Sequence, residues 1–458
     1  MIEDSTAEIC GITYKPFGPI TGLTYGNGLT DTRTYDQDYR LTSITVPNIL
    51  SWTLGYNPDD DITGLTDNLV GGNSQTLGYD NLNRLNTGSG AYGSQSYGYD
   101  ANGNRNTETL NGTNTTLNIA ATSNQLASLS GGQNKTYQYD ANGNLISDGT
   151  NTYTYDDTNR LASVTTSSGA DTYQYNGLGQ RIEKTVGSAT TVYVYDEAGH
   201  LIGEYTPTGA LIAEHIWLDN RPVGLITPSG LYYVTTDQLG TPRAITNASK
   251  TVVWQWHSDP FGNGTPTGSI TYNLRFPGQY YDAETGHNYN YFRDYDPTIG
   301  RYIESDPIGL LGGPGTYSYV DAKPITREDS KGLYNYAPPD KSQNTVICDS
   351  AGNMVPQVVQ YNNLNDVCLG DCLKTHEEQH IADLKRIGTL ACQGKPQGTR
   401  VTFDTLKQDY ASEVRAYNAE INCLKAKLKA MKCDNDQCRT IVNNRIIQIR
   451  SYMKRYEQ

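Results

Sequence analysis

Residues 139–201 read YDANGNLISDGTNTYTYDDTNRLASVTTSSGADTYQYNGLGQRIEKTVGSATTVYVYDEAGHL, and their pattern decides the fold. A Tyr-Asp or Tyr-Asn pair stands at Tyr139, Tyr155, Tyr175 and Tyr195. An Asn or Gly follows within a few residues, and both tolerate the positive φ that closes a tight turn. Alternating stretches flank each turn: TYTY (152–155) and TVYVY (191–195) before it, LASV (161–164) and LIGE (201–204) after it. Successive strand side chains point to opposite faces, so each unit predicts a β-hairpin of about 20 residues.

The unit extends towards the N-terminus through Tyr99, Tyr79, Tyr56 and Tyr35, across residues 20–205 as a whole. From Tyr35 to Tyr195 the spacings are 21, 23, 20, 40, 16, 20 and 20, the 40 holding two units. Such a period marks an array whose hairpins stack side by side into a long sheet. Repeat residues are scaffold, and none is a catalytic candidate. Composition agrees: 36 Tyr, 46 Gly, 5 Phe and 4 Met exclude a purely helical protein and favour short strands with Gly-rich turns. So much Tyr requires partners for the phenol hydroxyls. The 458 residues allow two or three domains. No run of 18 apolar residues is present, so no membrane span is expected. The opening MIEDSTAEIC shows no signal peptide.

The net charge of −14 hides a break at Leu333. Residues 1–333 hold 18 Lys and Arg against 35 Asp and Glu, whereas residues 334–458 hold 17 against 14. Seven of eight cysteines also lie beyond the break.

Residues 20–333 resemble the YD repeats and core domain of Rhs-family proteins. The match rests on the tyrosine units and on DQLGTPRAIT (237–246), VVWQWHSDPFGNG (252–264) and LRFPGQYYDAETGHNYNYFRDYDPTIGRYIESDPIGL (274–310). The resemblance implies an all-β spiral sheet forming a shell around a variable C-terminal domain, usually a toxin. It divides the chain into a repeat shell (1–230), an Rhs core with a C-terminal autoprotease (231–333) and a toxin domain (334–458). It further implies an aspartyl-type self-cleavage after a DPxGL motif. Arg293 in RDYDP, Asp306 in DPIGL and Asp329 in DSKGL match the family's essential Arg and two Asp, placing the cut between Leu333 and Tyr334. Two close carboxylates can share a proton, one serving as base and the other as acid, with an adjacent Arg holding one ionised. Ser330 replaces the usual proline of the second motif. The competing reading makes both aspartates ordinary turn residues.

Beyond Leu333, residues 334–365 suggest linker and short strands, and then the period changes. Val367, Leu373, Ile381, Leu384 and Ile387 form one helical stripe ending at Gly388. Within it, His376-Glu377-Glu378-Gln379-His380 is an HExxH. Its two histidines lie one helical turn apart and can bind Zn²⁺, while Glu377 can take a proton from bound water. The alternative is a solvated charged helix face. A third ligand is needed, and Glu413 in SEVRAY on a second helix (405–431) is the first choice. Glu420 is the reserve, and Asp383 is a ligand or an orienting partner of His380. Arg386 occupies the last position of HExxHxxGxxH, which excludes the metzincin pattern. The segment resembles metallopeptidase toxin domains at the C-termini of Rhs and related polymorphic toxins, so the second fold is expected to be small, mainly α-helical and zincin-like.

Cys348, Cys368, Cys372, Cys392, Cys423, Cys433 and Cys438 are disulfide candidates, with one necessarily left over. Two or three bridges, including staples among Cys423, Cys433 and Cys438, suit a domain acting in a periplasm or outside cells. The last helix (440–458) carries an apolar stripe read as core, and the domain's net +3 argues against a nucleic-acid partner. The family further implies an exported effector without a visible signal peptide, a type VI-like secretion machine, a cognate immunity protein and a protein or peptide substrate. Two rivals stay open: a non-catalytic surface or adhesive repeat protein, and a metal-dependent amidase acting on cell-wall peptide.

Overall fold

The computed structural model describes residues 9–16 and 18–333, and beyond them 345–348, 354–357, 372, 374–375, 378–379, 381, 400–401, 415–416 and 418–426. The chain divides into two compact units, Met1–Pro338 and Pro339–Gln458.

The first unit is built from antiparallel meanders. Thirteen strands in sequence order, from Cys10–Tyr14 to Lys135–Thr136, form one sheet. Fourteen more, from Gln138–Tyr139 to Thr267–Gly268, form a second. The second sheet runs through residue 230 without interruption, so no structural seam separates the repeats from the segment that follows.

Each repeat turn is built by its aspartate, or by the asparagine that stands there at Asn57 and Asn176. In YDNLNRL, Asp80 Oδ1 accepts the backbone N–H of Leu82 (2.9 Å) and Arg84 (3.0 Å), and Oδ2 accepts Arg84 Nε at 2.8 Å. The fourth turn position has positive φ, 57° at Asn83 and 87° at Gly143, which explains the Asn/Gly preference there.

The tyrosine ahead of that aspartate or asparagine stitches neighbouring units. Tyr56 Oη donates to Leu41 O (2.7 Å), Tyr79 to Ile62 O (2.7 Å), Tyr99 to Leu85 O (2.6 Å) and Tyr175 to Leu161 O (2.9 Å). Trp217 takes the same role through Nε1 to Leu201 O at 2.9 Å. Phe could fill this space but could not satisfy the carbonyl, which accounts for the Tyr excess.

Alternation buries one face of each strand. Leu117, Leu126, Leu145, Tyr153, Val164 and Tyr173 form one stretch of core, and Tyr193, Leu225, Val234 and Ile245 another. The segment after residue 270 covers these faces: Ile299 and Ile303 join the first cluster, Tyr280 and Tyr289 the second. That segment includes a four-stranded sheet of Tyr280–Asp282, His287–Asn290, Arg293–Asp296 and Arg301–Tyr302. Its polar strands HNYN and RDYD are buried throughout, and such burial requires paired charges. Arg181, for example, meets Asp282 at 2.6 Å.

In the second unit, Thr345–Cys348, Met354–Gln357 and Arg400–Val401 form a three-stranded sheet. The first two agree with the short strands expected before residue 365, while the third lies in a stretch with no strand-like pattern. Residues 418–426 are helical, as are the described residues between 372 and 381. A disulfide joins Cys372 to Cys423, across 51 residues, in place of a local staple to Cys433 or Cys438. It ties the first helical segment to the second. A loop of that length contributes about 4 kcal/mol by chain entropy. Cys423→Ser should therefore lower the urea midpoint of isolated residues 334–458, and dithiothreitol should reproduce the loss in the parent; an unchanged midpoint would contradict the bridge.

Candidate self-cleavage site

Arg293, Asp306 and Asp329 converge. Arg293 is the first residue of the buried RDYD strand and points away from Asp294's side of it. Its Nη2 lies 2.9 Å from Asp306 Oδ2 and 3.3 Å from Asp329 Oδ2, with all three side chains buried. Its Nη1 donates to Thr316 O at 3.2 Å, its Nε donates to Gly332 O, and its guanidinium sits 3.7 Å from the Tyr302 ring centre. One cation thus holds two carboxylates and the backbone leading to the expected cut.

The two aspartates sit differently. Asp329 Oδ2 accepts Tyr302 Oη at 2.9 Å, and Oδ1 accepts the backbone N–H of Leu333 at 3.2 Å. Asn290 Nδ2 donates to the Asp329 carbonyl at 2.8 Å. Asp329 therefore organises the loop to Leu333. The Asx turn needs only the aspartate side chain and Gly332 at φ 64°, so Ser330 fits where the motif usually has proline.

Asp306 has fewer donors, with Ile308 N–H on Oδ1 at 3.0 Å and Arg293 on Oδ2. Burial pushes its carboxyl up to about 6 against the opposing pull of Arg293. A Cβ built on Gly312 would collide with Asp306 Oδ2 and stand 3.3 Å from the Leu333 carbonyl oxygen. The carboxyl and the carbonyl flank one point that only glycine leaves open. Gly312→Ala should slow self-cleavage roughly 10²-fold by displacing either group, measured as the intact fraction over time on a denaturing gel; an unaltered rate would remove this placement.

Sequence reasoning missed Gly312, Tyr302 and Asn290. Gly312 lies just past DPIGL, where a second glycine looks like ordinary loop; Tyr302 and Asn290 read as strand residues. Asp294 and Glu304 form another buried acidic pair on the strand's opposite side. The Asp294 N–H donates to Glu304 Oε2 at 2.8 Å, Tyr155 Oη donates to Oε1 at 3.0 Å, and burial holds both carboxyls well above the usual range.

A YD-shell architecture is also what comparison with known proteins returns. The Teneurin YD-shell family model matches residues 66–310, more than half the chain. The chain belongs to the teneurin YD-shell family. Similar toxins include "Double-stranded DNA deaminase toxin A" of Burkholderia cenocepacia, 38% identical over 109 residues (22% of this chain, 8% of that protein). "Toxin protein Tse5" of Pseudomonas aeruginosa is 35% identical over 125 residues (27% and 10%). This YD-shell chain thus spans about a tenth of the length of these relatives. Among solved structures, the Photorhabdus luminescens Tc holotoxin pore carrying the TccC3 mutation D651A covers 72% of this chain and 19% of its own at TM-score 0.59 and 19% identity, a likeness of fold.

The metal candidates His376, Glu377, His380, Asp383 and Glu413 lie outside the described residues, as do Tyr334, Cys368, Cys392, Cys433 and Cys438. Cys348 ends the Thr345–Cys348 strand. Glu420 is described: it is buried in helix 418–426, three residues before disulfide-bonded Cys423. Among the described residues no group of three His, Cys, Asp or Glu side chains is arranged to hold a metal.

Proposed function

We propose that this chain is an Rhs-type toxin whose first unit cuts the Leu333–Tyr334 bond and frees residues 334–458 as a zinc-dependent hydrolase. The observation that carries the cleavage is the approach of Asp306 and the Leu333 carbonyl to one point above Gly312, with Arg293 bridging Asp306 and Asp329. In the reaction, protonated Asp306 donates to the Leu333 carbonyl oxygen while Asp329 takes a proton from the attacking water. Water oxygen bonds to the Leu333 carbon, the C–N bond to Tyr334 breaks as the proton on Asp329 passes to the departing amine, and one hydroxyl proton of the intermediate returns to Asp306 as the Leu333 carboxyl forms.

This assignment fixes a pH dependence. A carboxyl raised to about 6 is protonated below that value and loses its proton above it. Self-cleavage of freshly refolded chain should be fastest below pH 6 and fall about tenfold per unit above it. A rate that instead rises from pH 6 to 8 would make Asp306 the base.

For the released domain, the reading rests on the HExxH and on its donor chemistry. His376 and His380 with Glu420 or Glu413 make a His₂Glu set suited to Zn²⁺. Glu420 lies three residues from Cys423, whose partner Cys372 precedes His376 by four residues, so the disulfide favours Glu420 over Glu413. Bound zinc would lower the pKa of a coordinated water. Glu377 would accept that water's proton and return it to the leaving amine. The substrate is a peptide bond of a competitor cell, in a protein or in cell-wall peptide. The disulfide suits action in a periplasm or outside cells. A type VI-like export machine and an immunity protein in the producer complete the proposal.

A further inference from the structure

Arg293 Nη2 reaches Oδ2 of both Asp306 and Asp329, so the cation alone does not tell the two carboxyls apart. Tyr302 does. It ends the Arg301–Tyr302 strand and is fully buried, as is Asn290 at the end of the His287–Asn290 strand. Asn290 Nδ2 donates to the Asp329 carbonyl at 2.8 Å and to Tyr302 Oη at 2.7 Å. A carbonyl only accepts, which fixes the orientation of the amide. Because Oη already accepts from Asn290, the phenol proton turns to Asp329 Oδ2, 2.9 Å away. Asn290 Oδ1 is left buried without a partner, a destabilising arrangement kept in place by the two bonds at its donor end. Burial, with Asp329 alongside, raises the Tyr302 phenol well above its usual range, so it keeps its proton. Asp329 Oδ2 therefore carries both Tyr302 and Arg293, whereas Asp306 Oδ2 carries Arg293. Asp329 Oδ1 meets backbone N–H groups at longer range, Leu333 at 3.2 Å and Lys331 at 3.4 Å.

We propose that Tyr302 is a positioning residue for self-cleavage: its hydroxyl keeps the proton of the carboxyl pair on Asp306 and leaves Asp329 Oδ1, beside residue 333, to take the proton of water. The proposal rests on the reading that Asp306 and Asp329 cut the Leu333–Tyr334 bond. Without the hydroxyl, the two Oδ2 atoms hang on one Arg293 nitrogen and the proton divides between them. A chain with that proton on Asp329 has lost its base and cannot start the reaction.

The test compares self-cleavage of the freshly refolded full chain, across about pH 5 to 8, for the parent, Tyr302→Phe and Tyr295→Phe. Tyr302→Phe deletes the hydroxyl but keeps the ring that stacks on Arg293 and packs edge-on against Tyr295 and Tyr319. It should be at least about tenfold slower at pH 5. The pH above which its rate falls should also move up by about one unit, because losing a donor strengthens the pair's hold on its proton. A purely structural defect would lower the rate without moving that pH. Tyr295→Phe removes an equally buried phenol, one that donates to the Phe261 carbonyl, and should keep the parental rate and profile. Glu304 and Glu328, both raised to about 7, are common to all three chains, so the difference between chains is what is read. Asn290→Ala frees the Tyr302 hydroxyl to turn away; it should move the profile in the same direction, and it carries the test if Tyr302→Phe does not fold. A parental rate or an unmoved profile in the folded variant, or an equal loss in Tyr295→Phe, would overturn the proposal. Asp306→Asn separates the two levels. If it cuts like the parent, the cleavage reading fails too; if it stays whole while Tyr302→Phe cuts normally, only the role of Tyr302 fails.

Discussion

Asp306→Asn will leave the chain as one uncut band near its full 50.4 kDa, where the parent is expected to separate into two fragments. The substitution keeps the size of the side chain and the Ile308 contact, so the loop geometry survives. It removes the carboxyl that, with the Leu333 carbonyl, borders the space above Gly312. Loss of a positioned acid costs on the order of 10²–10⁴-fold in rate, which on the scale of a purification is no cleavage. Asp329→Asn should also block cutting, through a different fault. Its Oδ1 and Oδ2 hold Leu333 N–H, Tyr302 Oη and Arg293 together, so the loop itself is disturbed. Proteolytic sensitivity of the 329–333 segment separates the two: raised in Asp329→Asn, parental in Asp306→Asn. An Asp306→Asn chain that cuts at the parental rate would remove Asp306 from the chemistry.

Glu377→Ala in residues 334–458 should abolish killing while zinc stays bound. In the proposed site His376 and His380 would supply the metal's imidazoles and Glu377 would handle only the proton, so the two functions would come apart. The expected fall in hydrolytic rate is again about 10²–10⁴-fold. Periplasmic and cytoplasmic expression of the same fragment adds a second readout, because Cys372–Cys423 forms in the former and is reduced in the latter. Toxicity confined to the periplasm is expected. Killing unchanged by Glu377→Ala, or a purified fragment without zinc, would end the metallohydrolase reading.

How far the fold could be read ahead of the structure depended on how local its causes are. The tyrosine-aspartate turn is entirely local: Asp80 bonds Leu82 and Arg84, two and four residues on, and the alternation on either side sets which face is buried. The strand meander followed directly. The bond from each tyrosine to the preceding unit, such as Tyr79 to Ile62, is not local and showed only as an unexplained excess of Tyr. The Arg293–Asp306–Asp329 constellation was legible because its three residues sit in distinctive motifs matched to a family. Tyr302, Asn290 and Gly312 were not, since their importance comes from which strands the four-stranded sheet places side by side. Pairing of Cys372 with Cys423 is likewise set by the packing of two helical segments, and spacing alone suggested the nearer cysteines.

The measurement that bears most directly on the whole account is the intact mass of the purified chain together with N-terminal sequencing of its fragments. The account predicts one fragment ending at Leu333 and a second beginning Tyr-Asn-Tyr at residues 334–336. A chain that stays whole at pH 5–6, or one that cuts at any other bond, would contradict it.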